Sequence, residues 1–174
     1  MAKSFKSLKG KLLLDGGNLA GSWFHRTVVL ICQHNADGAF GLVLNKPSEH
    51  KVGEAIVADL PDTLKDLPLY VGGPVQANAM SFLHTDDFLP DANVLPNLHL
   101  DHSLDMLVDL AESFSTSRKF RVFAGYAGWS PGQLEAEMSR KAWLTHPASL
   151  DLVFKADPAR LWTQIGRASC RERV

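Results

Sequence analysis

Thr27 to Gln33 is a nearly continuous apolar run of seven residues, and Ala39 to Leu44 is a second such run only a short turn later. Their length and β-branching favour strands buried on both faces over helices. Asn35-Ala36-Asp37-Gly38 between them is a turn signal, so the two runs read as a β-hairpin. Helical periods recur elsewhere in the chain. A sheet built with both a tight hairpin and helical connections is mixed, which makes the expected class α/β of the α+β kind. At 174 residues the chain suits one domain with a proper core.

The other elements follow from shorter signals. Lys11 to Leu14 predicts a strand, with Asp15 to Asn18 as the turn after it. Asn45-Lys46-Pro47 ends the second hairpin strand, because proline cannot donate to a ladder. Ser48 is a candidate cap for a helix over Lys51–Leu60. Pro61 to Pro68 reads as a connector, Leu69 to Val71 and Met80 to His84 as strands, and Thr85 to Pro96 as a surface loop. A brief strand over Asn97–Asp101 precedes a helix over Leu104–Ser113 capped by Ser103. Ala142 to Thr145 and Leu150 to Phe154 read as strands, and Asp157-Pro158 opens a final helix.

Phe120 to Ala124 alternates like a strand, and Gly125 and Gly128 then free the backbone to bend, with Tyr126 and Trp129 displayed on a loop. Ser130-Pro131-Gly132-Gln133 has the form of a capped helix start. The stretch Gly125-Tyr126-Ala127-Gly128-Trp129 followed by Gly132-Gln133-Leu134-Glu135 resembles the hallmark of the YqgE/AlgH family of bacterial proteins. Three further pieces match in order and spacing: Phe24 to His34, Gly38 to Pro47, and Gly72-Gly73-Pro74-Val75. The resemblance covers about residues 8 to 165. It implies one compact domain over residues 1–165, whose bent mixed sheet closes into a partial barrel flanked by helices. The family has no established enzyme activity, and some members carry the label of transcriptional regulator.

The segment 166–174, Gly166 to Val174, breaks the preceding hydrophobic pattern and resembles translated vector sequence, so the native C-terminus is expected to be missing and this tail loosely packed. Without its three arginines and one glutamate the formal charge moves from −1 to −3. That balance gives no electrostatic footprint for nucleic acid. No apolar run approaches the roughly 18 residues of a membrane helix. Only Leu12 to Leu14 follows the lysines of the N-terminus, too short for a signal peptide, so a cytoplasmic protein is expected.

Motifs with chemistry are sparse. H-E-x-x-H, C-x-x-C, the P-loop, the dinucleotide fingerprint and the nucleophile elbow are all absent from the sequence. The expected cofactor and metal are therefore none, and no catalytic residue is assigned. Cys32 and His34, two apart on a strand, would face the same side, but free cysteine is by habit a packed residue. His34 and His84 each end a predicted strand, where sites tend to form. Glu135 and Glu137 fall in the first turns of a helix and read as solvated acids, with Glu135 held open because it belongs to the family pattern.

Two arrangements of the family residues are weighed. In one, Tyr126 and Trp129, the Phe24-His25-Arg26 strand entrance and Asn45-Lys46-Pro47 converge on a single cleft, with Arg26 as cation and Trp129 as apolar wall, and the candidate ligand-binding residues are Arg26, His34, Asn45, Tyr126, Trp129 and Glu135. In the other, Trp129 fills the core and Arg26 pairs with Glu135. The expected function is binding or regulation of a small molecule or protein partner. A transcriptional regulator and an enzyme using Arg26, His34 and Asn45 are the alternatives.

Overall fold

The computed structural model describes residues 6–16, 22–56, 60–85, 94–112 and 119–172. Nine strands form one mixed sheet: β1 (Lys11–Asp15), β2 (Val28–Asn35), β3 (Gly38–Val43), β4 (Pro47–Lys51), β5 (Pro68–Val71), β6 (Val75–Thr85), β7 (Leu98–Asp101), β8 (Phe120–Trp129) and β9 (Trp143–Pro147). Six helices accompany them among the described residues: α1 (Val52–Ala55), α2 (Asp62–Lys65), α3 (Leu104–Glu112), α4 (Gln133–Ser139), α5 (Leu150–Phe154) and α6 (Pro158–Glu172). The sheet runs β4-β5-β8-β3-β2-β1-β9, with β6 on β8 and β7 on β6. Only the β5–β8 pair is parallel among these ladders. The sheet bends but does not close into a barrel.

The hairpin forms as the two apolar runs require. Asn35 pairs with Gly38 across Ala36-Asp37, and Val29 with Val43 at the far end. Val28, Leu30 and Cys32 point into one core cluster with Leu12 and Leu42, while Val29 and Ile31 point into another with Leu13 and Trp129. Leu161 and Ile165 of α6 and Val153 of α5 cover the first face, and Leu134 of α4 covers the second. Burial on both faces explains why β2 lacks polar alternation.

Strand β8 is the joint of the sheet. Its first half lies between β5, with Val122 to Ala124 paired, and β6, with Phe120 to Ala124 paired. Gly125 takes φ 75°, and beyond it Ala127 to Trp129 pair with β3 instead. The expected loop over Gly125–Trp129 is thus strand. What the glycines permit is close approach rather than a turn: a Cβ on Gly73 would run into the Tyr126 carbonyl, and one on Gly125 into the Gly73 carbonyl. Gly72 bridges both neighbours, donating to the Ala124 carbonyl and accepting from the Val43 amide.

Several local expectations are corrected. Leu150 to Phe154 is helix, not strand, because Ser149 caps it by accepting from the Leu152 amide. Ser48 caps nothing: it lies in β4 and donates to the Leu69 carbonyl, and the helix after it is the single turn α1. Pro47 opens β4 at the sheet edge, a position proline tolerates. The connector after Pro61 contains α2. At Ser130 the glutamine reaches back as expected, its side-chain oxygen accepting from the Ser130 amide, while the serine hydroxyl donates to the same Gln133 oxygen instead of serving a helix amide. Within the segment expected to be a tail, the backbone of α6 continues to Glu172, extending a helix docked through Leu161 and Ile165. The turn after Asp15 and the loop over Thr85–Pro96 fall largely outside the described residues.

Candidate functional site

Five of the six residues singled out from sequence divide between the two ends of β2, and Tyr126 stands apart, packed on the other face from Trp129. Val28 and His34 are six residues apart on that strand, roughly 20 Å at the usual rise, and each end gathers its own group. A single cleft uniting Arg26 with Trp129 is not what this geometry forms.

At the first end the turn Ser22 to Thr27 is strapped to the exit of β3. The Asn45 amide donates to the Arg26 carbonyl at 2.9 Å and its oxygen accepts from the Val28 amide at 2.9 Å. Lys46 Nζ donates to the Trp23 carbonyl at 2.8 Å and lies 3.6 Å from the centre of the Trp23 ring. Arg26 itself has φ 57°, a left-handed backbone uncommon for a bulky residue. Its amide donates to Asp15 Oδ2 at 2.7 Å, so the buried Asp15 and Asn45 hold that conformation from both sides. The guanidinium is exposed and lies 5.3 Å from the Trp162 ring of α6. Burial lowers the pKa of the half-buried Lys46.

At the second end a bulge decides the chemistry. The β2–β3 register shifts between Ile31 and Gln33, which inserts Cys32 as an extra residue. Cys32 therefore faces the cluster of Leu30 and Leu42, and His34 turns to the opposite face beneath α4. The pair does not share a side, contrary to simple alternation. Cys32 is fully buried, and burial pushes its thiol pKa up. His34 Nδ1 accepts from the Leu8 amide at 2.9 Å, which leaves the ring proton on Nε2, 2.5 Å from Glu135 Oε1. Glu135 thus pairs with His34, and not with Arg26. Its carboxyl is held below the usual range by its own backbone amide and then by His34.

Trp129 belongs to the core, 7% exposed, in line with His34 through Ala39 on the intervening strand. Its indole donates to Glu137 Oε1 at 3.1 Å, and the Trp143 indole donates to the same oxygen at 3.0 Å. Gln133 donates to the other Glu137 oxygen. Reading Glu137 as a solvated acid missed this role. Two tryptophans bracketing one glutamate were the available signal, because a buried indole N–H needs an acceptor. Tyr126 stacks on Phe40 at 4.9 Å, and Phe40 meets the His102 ring edge-on. His102 bonds Ser81 beside an apolar cavity of about 80 Å³ under α3. His84 is buried and stacked on His99. Among the described residues no three acidic, histidine or cysteine side chains gather as a metal site, and no helix is long and apolar enough to cross a membrane.

The Glu135–His34 pair makes a pH prediction. A carboxyl whose pKa is lowered by folding stabilises the fold above its unfolded value, near 4.3, and that contribution fades as pH falls through the folded value. Glu135→Gln keeps an acceptor for His34 but removes the charge. Its melting temperature is expected to fall less than wild type between about pH 5 and pH 3. The difference is small, below about 1 kcal/mol, because Glu135 is largely exposed. Parallel melting curves of the two proteins would contradict it.

Comparison with known proteins gives a consistent set. The model of a family described as AlgH-like matches residues 12–170. A UPF0301 protein of Chlorobaculum parvum is 43% identical over 97% of this chain and 90% of its own length. Its counterpart in Chlorobaculum tepidum is 42% identical over the same shares. The solution structure of the AlgH protein from Pseudomonas aeruginosa superposes with a TM-score of 0.75 at 32% identity, covering 100% of this chain and 94% of that one.

Proposed function

This chain belongs to the AlgH-like family, and on that premise we propose that it works by binding, as a recognition or regulatory protein, with the Arg26 edge as its contact point. The observation that carries this reading is the backbone of Arg26. Left-handed backbone costs an L-residue roughly 1–2 kcal/mol, and glycine would form the same turn without that cost. Here Asp15 and Asn45 hold the strained residue in place, and its guanidinium is exposed on the Trp162 face. Strain over-determined by surrounding side chains is a pointer to function.

Covalent catalysis has less support from the same residues. The Cys32 thiol is buried, both His34 ring nitrogens are engaged, and both ends of the Asn45 amide are taken by backbone groups. Direct recognition of DNA has no charge argument behind it, with a formal net charge of −1 over the whole chain.

The test is affinity selection from a metabolite extract on immobilised protein, read by mass spectrometry. Wild type should enrich a defined set of small molecules, and Arg26→Ala should lose that set. The melting temperature of the variant should stay within about 2–4 °C, since an exposed cation–π contact is worth about 0.5–1 kcal/mol. Retention of the same molecules by Arg26→Ala, or their chemical conversion by wild type, would reverse the reading.

A further inference from the structure

We infer that the strap Ser7 to Lys9 is a pH-sensitive latch on His34, which opens when the imidazole ring is protonated. Both hydrogen bonds that tie Ser7 and Leu8 to β2 end on that one residue. The Leu8 amide donates to His34 Nδ1 at 2.9 Å, and the Ser7 hydroxyl donates to the His34 carbonyl at 3.0 Å. The Lys9 amide donates in turn to the Ser7 hydroxyl oxygen, so the three strap residues share this anchor. Gly10 follows with φ 79°, and its own amide is fixed separately to the Ile31 carbonyl. That places a pivot between the strap and β1. The apolar hold is Leu8, half-buried against the core cluster that contains Val29, Ile31 and Trp129.

The bond from Leu8 exists only while Nδ1 carries a lone pair. A protonated imidazole donates from both nitrogens, and its new N–H would then face the Leu8 N–H, donor against donor. The closed strap therefore takes up a proton less readily than the open one. Its stability is present at high pH and fades as pH falls. Burial of His34 opposes the charge, whereas Glu135 favours it. The Glu135 carboxylate lies 2.5 Å from Nε2 and can pair with an imidazolium whether or not the strap is in place. The other charged groups of the surrounding elements are engaged or turned to solvent. Glu137, also on α4, serves the Trp129 and Trp143 indoles, and Lys6, Lys9 and the hairpin's Asp37 are exposed. Strand β3 places Ala39 opposite His34. Opening thus trades a neutral hydrogen bond for a paired imidazolium, and it uncovers the part of the cluster against which Leu8 packs.

The experiment follows the labelled full chain by proton–nitrogen correlation from pH 8 to pH 5, the range in which histidine ordinarily changes charge. The His34 ring nitrogens report protonation, and hydrogen exchange at the Leu8 amide reports the strap. Protection of that amide is expected to fall about tenfold or more as the ring titrates, while Leu30 and Leu42 of the hairpin stay protected. Glu135→Gln keeps an acceptor for Nε2 without the charge, and should move opening to lower pH by roughly half a unit. His34→Gln cannot titrate and should show no pH-dependent opening, its melting temperature checking that it is folded. Should it fail to fold, the wild-type and Glu135→Gln titrations decide. The inference falls if Leu8 stays protected while His34 titrates, or if strap and hairpin amides lose protection together. It falls equally if the His34 ring does not titrate in this range, or if Glu135→Gln opens at the same pH as wild type.

Discussion

Gly73→Ala is expected to lower the melting temperature by roughly 6–20 °C, the equivalent of about 3–5 kcal/mol in a chain of this size. The added methyl would meet the carbonyl of Tyr126 and the amide of Ala127, which are backbone atoms of β8 and cannot rotate aside. Moving β8 there would disturb its ladder with β3, where Ala127 pairs with Gly41. Moving Gly73 would instead strain the adjacent Gly72 bonds to Val43 and Ala124. Gly132→Ala provides the control. Its φ is 78°, yet nothing lies within 4 Å of the new atom, so only the backbone term of about 1–2 kcal/mol applies. Thermal melts of the two variants separate packing from conformational preference. Similar losses at both positions would mean that β8 yields easily and is not the joint described here.

Glu137→Ala should cost nearly as much, about 3 kcal/mol. Two buried indole donors lose their common acceptor, and hydrogen bonds to charged groups are worth about 1.5–3 kcal/mol each, with non-additivity between neighbours. Trp129 and Trp143 are 7% and 3% exposed, so water cannot readily replace the carboxylate. Glu137→Gln retains an oxygen for both indoles and should recover at least half of the loss. Urea unfolding followed by tryptophan fluorescence measures both variants. A loss below about 1 kcal/mol for the alanine variant would show that the Trp129–Glu137–Trp143 cluster is not what fastens α4 to the sheet.

The hairpin of β2 and β3 was legible because pattern, composition and turn agreed over a short stretch. The helix at Leu150–Phe154 was not, since five residues with four apolar ones satisfy either period, and Ser149 was the only local discriminator. Gly125 and Gly128 were read as a loop because glycine signals a turn locally. The neighbour of Gly125 across the sheet, Gly72-Gly73, lies some fifty residues away, and close approach of two backbones leaves no trace in either stretch alone. The site was legible as residues but not as partners. His34 and Glu135 are 101 positions apart. The bulge at Cys32 reverses the face on which His34 would otherwise lie, and no residue type marks it. Asn45 was recognised without any hint that both ends of its amide serve the backbone of the Arg26 turn.

The tryptophan indoles make the central claim directly measurable, because Trp23 and Trp162 stand at the Arg26 edge and Trp129 lies in line with His34 at the other end of β2. Trp23 and Trp162 lie against Lys46 and Arg26, whereas Trp129 and Trp143 donate to Glu137. A proton–nitrogen correlation spectrum of the labelled protein, titrated with the small molecules that the wild-type protein enriches, follows all four N–H signals at once. The Trp23 and Trp162 signals should move along saturable curves in wild type and stay fixed in Arg26→Ala, with Trp129 unmoved in both. Saturable movement confined to Trp129, or the same Trp162 shift in Arg26→Ala, would contradict the placement of the contact at the Arg26 edge.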